Sequence, residues 1–263
     1  LSNFTNNVGL LTCVGNGAYE FVDNNLNKKV EKNIFIQSGQ KTLTKTRYVN
    51  EYRKLKIFEV YNQDKFEINE ECERKILDYL KKNISRFDLV ICADYGHGII
   101  SPCIRDYLAK ANIFLAVYCQ LNGGNLNFNF ITKYERADFV SLAESAIRFP
   151  FQEDKSDIIA PIKKLSAHLG AEKINVTLGK TGAAYYQNGR IFNTPSFTHQ
   201  VVDTMGVDDA ILAITSLLAC KNVKPELVPF LGNCIGALAV KIMGNTASVD
   251  PVELKKFISY ILK

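Results

Sequence analysis

Apolar and polar residues change their spacing along the chain, and each change predicts a different kind of element. Short apolar runs such as FDLVICAD (87–94), IFLAVYC (113–119) and ADFVSLA (137–143) have the length and composition of buried strands. Between them, SPCIRDYLAKA and DIIAPIKKLSAHLG carry apolar residues at i, i+3 and i+4, which predicts helices. This alternation is typical of βαβ units, so the last two thirds of the chain predict an α/β fold with a mostly parallel sheet.

Further elements follow in the same region. The stretch KINVTLGKTGAAYYQNGRIF predicts a strand, a glycine turn and a hairpin that bends at Asn188–Gly189. Another strand is predicted to end near Val202, and a helix to begin near Val207. The last two predicted helices are the long apolar ELVPFLGNCIGALAVKIMGNTA and the capped DPVELKKFISYILK.

Residues 33–62 follow another pattern, in which apolar and polar residues alternate and β-branched residues are frequent. This alternation predicts antiparallel strands. Such a sheet often forms a lid or a dimer surface beside a parallel core. The simplest organisation is one domain over residues 1–263, with residues 33–62 as a small β-lid.

Composition narrows the class of protein. The 263 residues are 47% hydrophobic, enough for one large α/β domain. There is no apolar run of membrane-spanning length and no basic n-region followed by an apolar segment, so we expect a cytoplasmic protein without a membrane partner. The 7 cysteines are dispersed along the chain, which favours reduced cysteines over a set of disulfide bonds or a zinc site. The net charge is +5, but the lysine and arginine residues form no basic stripe with interleaved aromatic residues. No nucleic-acid partner is therefore expected.

The stretch HQVVDTMGVDDAILAITSLLAC (199–220) places three aspartates around one glycine where a buried helix is about to begin. Gly206 permits a tight turn, so that the first amides of the helix can bind an anion. A carboxylate in the first helical turn could then take a proton from an attacking hydroxyl group, as phosphoryl transfer requires. From these residues alone, a pair of simple helix-capping carboxylates is an equally good interpretation.

The segment VVDTMGVDDA (201–210) resembles the D-T-x-G-A-G-D signature of the ribokinase-like, or PfkB, carbohydrate kinases. The resemblance implies a ribokinase-like three-layer α/β/α sandwich with a small β-sheet lid. It also implies ATP and Mg²⁺ as cofactors and a sugar or sugar phosphate as substrate. By position, Asp209 would be the catalytic base, and Gly206, Val207 and Asp208 would supply the anion-hole amides.

Other segments resemble the same family in the same order. VTLGKTGAAYY is similar to the strand and turn at the nucleotide, and GNCIGALAVKIMGNTAS is similar to the helix and loop around the adenine. Together with the D-T pair, they imply a set of nucleotide-binding residues. These are Thr177, Gly179, Gly182, Asp203, Thr204, Asn233 and Ala237.

The substrate side resembles one branch of the family. DLVICADYGHGIIS is similar to the D-Y-G-x-G loop of the bacterial heptose-phosphate kinases, and TKTRYV (44–49) is similar to their β-lid. The implied substrate-binding residues are Lys45, Arg47, Asp94, Gly96 and Gly98. The asparagine-rich QLNGGNLNFN predicts a polar loop, although its amides could bind sugar hydroxyl groups.

The run VYCQLNGGNLNFNFITKYERADFVSLAESAIR resembles kinase-like domains joined to a nucleotidyltransferase in bacterial sugar-activation proteins. Glu144 falls where the family has the glutamate that acts on magnesium. The resemblance therefore implies Glu144 as the metal residue and a fused or partner nucleotidyltransferase.

The chain also departs from the family pattern. Asp208 replaces a glycine, and a unit charge about 4 Å from a phosphate oxygen is repelled by roughly 4 kcal/mol at an effective dielectric constant near 20. Such repulsion could remove about a thousandfold of rate. The chain also begins at what resembles the end of the family's G-G-x-x-x-N helix, so the N-terminal start of the family fold is expected to be absent.

Two functions therefore stay open. The first is ATP-dependent phosphorylation of a sugar or sugar phosphate in the synthesis of nucleotide sugars or surface-glycan precursors. The second is a catalytically weakened kinase-like domain that binds a sugar or nucleotide and serves a nucleotidyltransferase as scaffold or sensor. A homodimer through the β-lid is a further expectation.

Overall fold

The computed structural model describes residues 1–50, 52, 55–62, 66–122, 124–126, 128–153 and 157–263. Contacts divide the chain into two compact units. The first is Leu1–Arg86 with Gly96–Leu108, and the second is Phe87–Tyr95 with Ala109–Lys263. The single domain over residues 1–263, with a lid at 33–62, stays a prediction.

In the first unit, two pairs of strands form separate small sheets. Strand β1 pairs in parallel with β2, and β3 pairs antiparallel with β4. The elements are β1 (Val8–Asn16), α1 (Tyr19–Asn25), β2 (Val30–Lys41), β3 (Lys45–Asn50), β4 (Leu55–Tyr61) and α2 (Glu70–Asn83). Helix α3 (Pro102–Lys110) begins in this unit, and its last residues belong to the second.

The antiparallel pairing predicted for residues 33–62 is wrong for the first part of that range. Residues 33–41 belong to β2, whose partner β1 runs parallel to it, with Leu11 beside Asn33. An alternating pattern shows which face a residue occupies, but it does not show the direction of the partner strand. Antiparallel pairing is correct for β3 with β4, where Tyr48 stacks on Phe58 with ring centroids 4.4 Å apart. Residues 51, 53 and 54 of the predicted lid lie outside the described residues.

The second unit contains a sheet in the strand order β10-β9-β8-β7-β6-β5. Strands β5 to β8 are parallel, whereas β9 and β10 run antiparallel to their neighbours. The strands are β5 (Leu89–Asp94), β6 (Phe114–Cys119), β7 (Phe139–Ala143), β8 (Lys173–Thr177), β9 (Ala183–Gln187) and β10 (Arg190–Thr194). The helices of this unit are α4 (Glu144–Arg148), α5 (Ile159–Leu169), α6 (Val207–Cys220), α7 (Leu227–Ala239) and α8 (Pro251–Ile261).

Both faces of this sheet are buried. On one face, Phe139 and Tyr185 form a core with Ala219 of α6. The residues that alternate with them, such as Val140 and Ile174, are also completely buried, and their strands contact α4 and α5. Apolar runs without alternation are expected for strands that are covered on both sides. The predicted α/β fold with a mostly parallel sheet is therefore confirmed.

Two predicted elements differ from the structure. The strand predicted to end near Val202 does not form, because the amides of Val202 and Asp203 both donate to the carbonyl oxygen of Val240, at 2.9 and 3.0 Å. The long apolar helix also ends earlier than predicted, at Ala239. Within the described parts of the chain, the helices are all too short or too polar to cross a membrane.

Lys173 fixes the C-terminal end of α6 to the start of β8. Its Nζ donates to the carbonyl oxygen of Ala219 at 2.8 Å and also to Oδ1 of Asn222. A cation beside the last carbonyl groups of a helix is favourable, because those groups carry partial negative charge. Burial nevertheless lowers the pKa of Lys173. The ammonium group therefore holds α6 in place from the end opposite to its first turn.

Two glycines in the turn between β8 and β9 provide a matched test of this fold. A Cβ atom on Gly182, which has φ of 110°, would lie 2.0 Å from the carbonyl oxygen of Thr194, whereas one on Gly179 would meet nothing within 4 Å. Gly182→Ala should lower the free energy of unfolding by about 2–5 kcal/mol, from backbone strain and overpacking. Gly179→Ala should lower it by about 1–2 kcal/mol, from the left-handed backbone alone.

Urea unfolding followed by circular dichroism measures both losses. Equal losses in the two variants would contradict the close approach of Gly182 to Thr194.

Candidate active site

Helix α6 begins with a left-handed residue. Gly206 has φ of 71°, and helical geometry starts at Val207. The preceding loop is held by Asp203, whose Oδ1 accepts from the Met205 amide at 3.1 Å and whose Oδ2 accepts from the Gly244 amide at 2.8 Å. Among the described residues, no side chain caps this helix, and the amides of Asp208 and Asp209 have no acceptor. These amides, together with the positive end of the helix, fit an anion.

The carboxylate of Asp209 lies in this first turn and accepts a hydrogen bond from Tyr95. The Tyr95 hydroxyl donates to Oδ1 of Asp209 at 2.6 Å. Burial and the nearby Asp209 charge raise the pKa of Tyr95, so its hydroxyl keeps its proton. Tyr95 is not among the site residues predicted from the sequence, although it directly follows β5 at the edge where parallel sheets place their ligands.

Asp208 is directed toward strand β8. Oγ1 of Thr177, at the end of that strand, lies 3.4 Å from Oδ1 of Asp208. Burial and the neighbouring charge of Asp209 raise the pKa of Asp208, whereas the hydrogen bond from Thr177 opposes the shift. The residue that departs from the family glycine is thus held against the sheet, and burial disfavours its charged form.

The predicted nucleotide segment has internal contacts of its own. Nδ2 of Asn233 donates to the carbonyl oxygens of Thr194 and Pro195, at 3.0 and 2.9 Å. Gly182 approaches the same backbone closely, and Ala237 is buried on α7. The structure therefore gives Asn233 and Gly182 structural roles. A role in nucleotide binding stays a prediction for both.

Three predicted nucleotide residues lie near the start of α6. Asp203 and Thr204 precede it closely in sequence, and Thr177 contacts it from the end of β8. Thr177 contacts Asp208, and the carbonyl oxygen of Thr204 lies 3.4 Å from the Val207 amide. Gly179 opens the 3₁₀ turn after β8. These three residues and Gly179 stay predicted ligands of the nucleotide.

Asp94 has partners within the protein. Its Oδ2 accepts from the Tyr134 hydroxyl at 2.8 Å and pairs with Lys133 Nζ at 2.6 Å, and the side chain is buried. Substrate binding through Asp94 would have to compete with these two contacts, so that role stays a prediction.

The other predicted substrate residues lie in the first unit. A Cβ atom on Gly98 would lie 2.2 Å from the carbonyl oxygen of Phe66, and Gly96 has φ of 74°. Backbone packing alone therefore requires glycine at position 98.

Lys45 and Arg47 lie on strand β3. Nε of Arg47 donates to Oε2 of Glu59 at 2.6 Å, and Nζ of Lys45 lies 4.8 Å from the ring centroid of Tyr61. Both cations therefore have partners inside the hairpin, and a substrate phosphate would compete with Glu59 for Arg47.

Glu144 opens helix α4, and its Oε1 accepts from Nε of Arg148 at 2.9 Å. The Glu144 side chain is 40% exposed. Among the described residues, no three acidic, histidine or cysteine side chains come together as a metal site. Mg²⁺ in kinases keeps several waters and takes one or two carboxylates together with the nucleotide phosphates. Glu144 fits that limited role.

Solved structures establish the fold class. Phosphofructokinase-2 from Escherichia coli, in complex with substrates and products, has a TM-score of 0.76 at 12% identity, covering 98% of this chain and 83% of that chain. A putative ribokinase II from E. coli, in complex with ATP and Mg²⁺, has a TM-score of 0.72 at 17% identity, covering 97% and 83%. The fold is ribokinase-like, and the prediction made from the sequence is confirmed.

Residues 1–251 match the pfkB family carbohydrate kinases. The match spans nearly the whole chain, and the protein therefore belongs to the pfkB family of carbohydrate kinases. The bifunctional protein HldE of Desulfatibacillum aliphaticivorans is 27% identical over 227 residues, which cover 84% of this chain and 45% of that protein. The chain spans about half the length of the curated relatives that it matches.

The raised pKa of Asp208 makes stability depend on pH. As pH rises above the ordinary value of 3.8, the unfolded chain loses this proton first, so stability is lost as pH rises through the folded pKa. Asp208→Asn keeps an oxygen acceptor for Thr177 and removes the charge. Its Tm should equal that of the wild type below pH 3.8, where the folded and the unfolded chain both keep the proton, and exceed it near pH 8 by about 2–4 °C, the shift that about 1 kcal/mol produces in a protein of this size.

Calorimetric melts at both pH values measure this difference. Asp88→Asn is the control, because Asp88 is exposed and pairs only with the exposed Lys221 in the described structure. A lower Tm for Asp208→Asn at the higher pH would show that the Asp208 charge is stabilising.

Proposed function

We propose that this pfkB-family kinase transfers the γ-phosphoryl group of ATP to a hydroxyl group of a sugar or sugar phosphate, with Asp209 as the catalytic base. One observation carries the proposal. Asp209 lies in the first turn of α6, beside main-chain amides that have no acceptor among the described residues. A base and an anion site at one point are what the transfer to an alcohol requires.

The roles of the residues follow from this arrangement. Asp209 takes the proton of the acceptor hydroxyl, and the oxygen of that hydroxyl forms a bond to the γ-phosphorus of ATP. The bond from the γ-phosphorus to the oxygen that bridges it to the β-phosphate breaks, and ADP leaves. The amides from Gly206 to Asp209, including that of Val207, hold the phosphoryl oxygens. Mg²⁺ bound to ATP would neutralise phosphate charge, with Glu144 as its contact in the protein.

Nucleotide binding is assigned to the segments around the same helix. The proposed contacts are Thr177, Gly179, Gly182, Asp203, Thr204, Asn233 and Ala237. Support comes from the position of Thr177 beside Asp208 and from the two hydrogen bonds by which Asp203 holds the loop before α6. ATP with Mg²⁺ is also the ligand pair named for the ribokinase II structure that shares the fold.

The proposed acceptor is a sugar phosphate, and a heptose phosphate is the first candidate. The D-Y-G-x-G loop and the similarity to bifunctional protein HldE support this class. Lys45 and Arg47 would contact the substrate phosphate, and Asp94, Gly96 and Gly98 would contact the sugar. The kinase would then act in the cytoplasm with a fused or partner nucleotidyltransferase, in the synthesis of nucleotide sugars or surface-glycan precursors.

The proposal includes a homodimer through the β3–β4 hairpin. Several apolar side chains on this hairpin are exposed, among them Ile57 and Phe58 at 65% and 50%. Their exposure supports contact with a second copy of the chain.

One observation favours a second candidate function, a weakened kinase-like domain that binds a sugar or nucleotide for a nucleotidyltransferase. Two neighbouring carboxylates, Asp208 and Asp209, share the first turn of α6, where the family has one. A charged Asp208 would repel the transferring phosphate. A neutral Asp208 would repel the phosphate less, and so would an Asp208 whose carboxyl group is held against Thr177, as it is in the structure.

Titration of ATP–Mg²⁺ by calorimetry, followed by an ADP-release assay over heptose and hexose phosphates, separates these functions. The wild type should bind ATP and turn over at least one acceptor. Asp209→Asn should lower kcat by about 10²–10⁴-fold, the usual contribution of general base catalysis, and should still bind ATP.

Asp208→Gly is the comparison variant. Turnover in this variant alone would favour the weakened domain, and equal turnover in both proteins would show that Asp208 is tolerated. If Asp209→Asn turned over as fast as the wild type, the proposed mechanism would be wrong.

A further inference from the structure

Tyr95 is the one described side chain that donates a hydrogen bond to Asp209. We infer that Tyr95 is a positioning residue for this base: it holds Oδ1 so that Oδ2 is presented to the acceptor hydroxyl. We further infer that Asn125 and Asn129, together the asparagine brace, hold Tyr95 in place. The inference rests on the proposed function of Asp209.

The contact between Tyr95 and Asp209 has the length of a strong hydrogen bond. An O–H to carboxylate distance of 2.6 Å is typical of charge-assisted bonds, which are about twice as strong as neutral ones. Because its pKa is raised, the Tyr95 hydroxyl keeps its proton and acts as the donor at this position. The Tyr95 ring packs edge-on against Tyr118, with centroids 6.1 Å apart, which restricts its rotation.

The asparagine brace fixes the backbone that carries Tyr95. Nδ2 of Asn125 donates to the carbonyl oxygens of Tyr95 and Gln120, at 3.0 and 2.8 Å. Nδ2 of Asn129 donates to the carbonyl oxygens of Asp94 and Gln120, at 3.1 and 2.9 Å. Each amide therefore joins the C-terminal end of β5, at Asp94 or at Tyr95 directly after it, to Gln120 directly after β6.

Both brace residues are almost inaccessible to solvent, with exposures of 3% for Asn125 and 0% for Asn129. A buried amide that donates to two carbonyl oxygens leaves no proton for a sugar hydroxyl. Through Asn125 and Asn129, the asparagine-rich loop thus supports the base indirectly, whereas sugar binding by other amides of this loop stays a prediction. Its function is to keep the end of β5 at a fixed distance from the first turn of α6.

A base of this kind depends on precise placement. A carboxylate on a two-bond side chain can turn either oxygen toward the substrate, and a misplacement of about 1 Å can cost about 100-fold in rate. A hydroxyl that holds one oxygen removes this freedom before the substrate arrives.

Tyr95→Phe tests the inference, because it keeps the ring and removes only the hydroxyl. In the active wild-type background, kcat should fall by about 10- to 100-fold, the cost of a misplaced catalytic group. KM for ATP and for the acceptor should not change, because a positioning residue acts on the reaction through Asp209 and not on the binding of either substrate. Tyr118→Phe is the matched control. It removes a neighbouring hydroxyl that pairs with Gln120 and that makes no hydrogen bond to Asp209 in the described structure, so its kcat should stay near that of the wild type.

Asn125→Asp tests the brace. It keeps the acceptor for the Asn122 amide and removes the two donors. Its kcat should fall at unchanged KM, and the double variant with Tyr95→Phe should be no slower than Tyr95→Phe alone, because both changes act through one contact. Binding of ATP–Mg²⁺ at wild-type affinity shows that each variant is folded.

The outcomes separate this inference from the function on which it rests. An inactive wild type, or an active Asp209→Asn, contradicts the proposed function and the inference with it. An active wild type with a normal kcat for Tyr95→Phe overturns the inference alone. A raised KM for the acceptor at unchanged kcat would also overturn it, because Tyr95 would then be binding the sugar. Additive losses in the double variant would remove the brace from the proposal.

Discussion

The left-handed backbone at Gly206 is the constraint on which the rest of the site depends. A residue with a Cβ atom would pay about 1–2 kcal/mol to adopt this conformation, so the abrupt start of α6 is specified by one glycine. The turn places the first amides of α6 and the Asp209 carboxylate at the same point. Thr177, at the end of β8, bonds to Asp208, and Tyr95, directly after β5, bonds to Asp209. The carboxyl ends of two strands therefore hold both aspartates of the first helical turn.

The fold could be predicted where burial leaves a simple pattern. Continuous apolar runs identified β5, β6 and β7, because strands covered on both faces have few polar positions to interrupt them. The pattern failed where the partner decides the structure. Residues 33–41 alternate in the same way whether their neighbour is parallel or antiparallel. Val202 looks like the end of a strand, but its amide bonds to Val240, which lies far away in sequence.

The residues of the candidate site also differ in whether a local sequence pattern identifies them. Gly206 and Asp209 could be found from sequence because a glycine turn, a first-turn carboxylate and the family signature all fall on one short segment. Tyr95, Asn125 and Asn129 could not, since their importance lies in hydrogen bonds between segments that only the folded chain brings together. Asp208 was recognised as a departure, but only its contact with Thr177 shows that its carboxyl group is held against the sheet.

Helix α6 is electrically asymmetric because of Lys173. The ammonium group of Lys173 lies at the C-terminal end of the helix and balances the negative end of its dipole, whereas no side chain of the described residues caps the N-terminal end. The first turn therefore attracts anions before any ligand binds, and this attraction does not distinguish one kind of anion from another. A multivalent oxyanion such as sulfate or inorganic phosphate would compete for the same amides, so the buffer in which the protein is handled is itself a potential inhibitor.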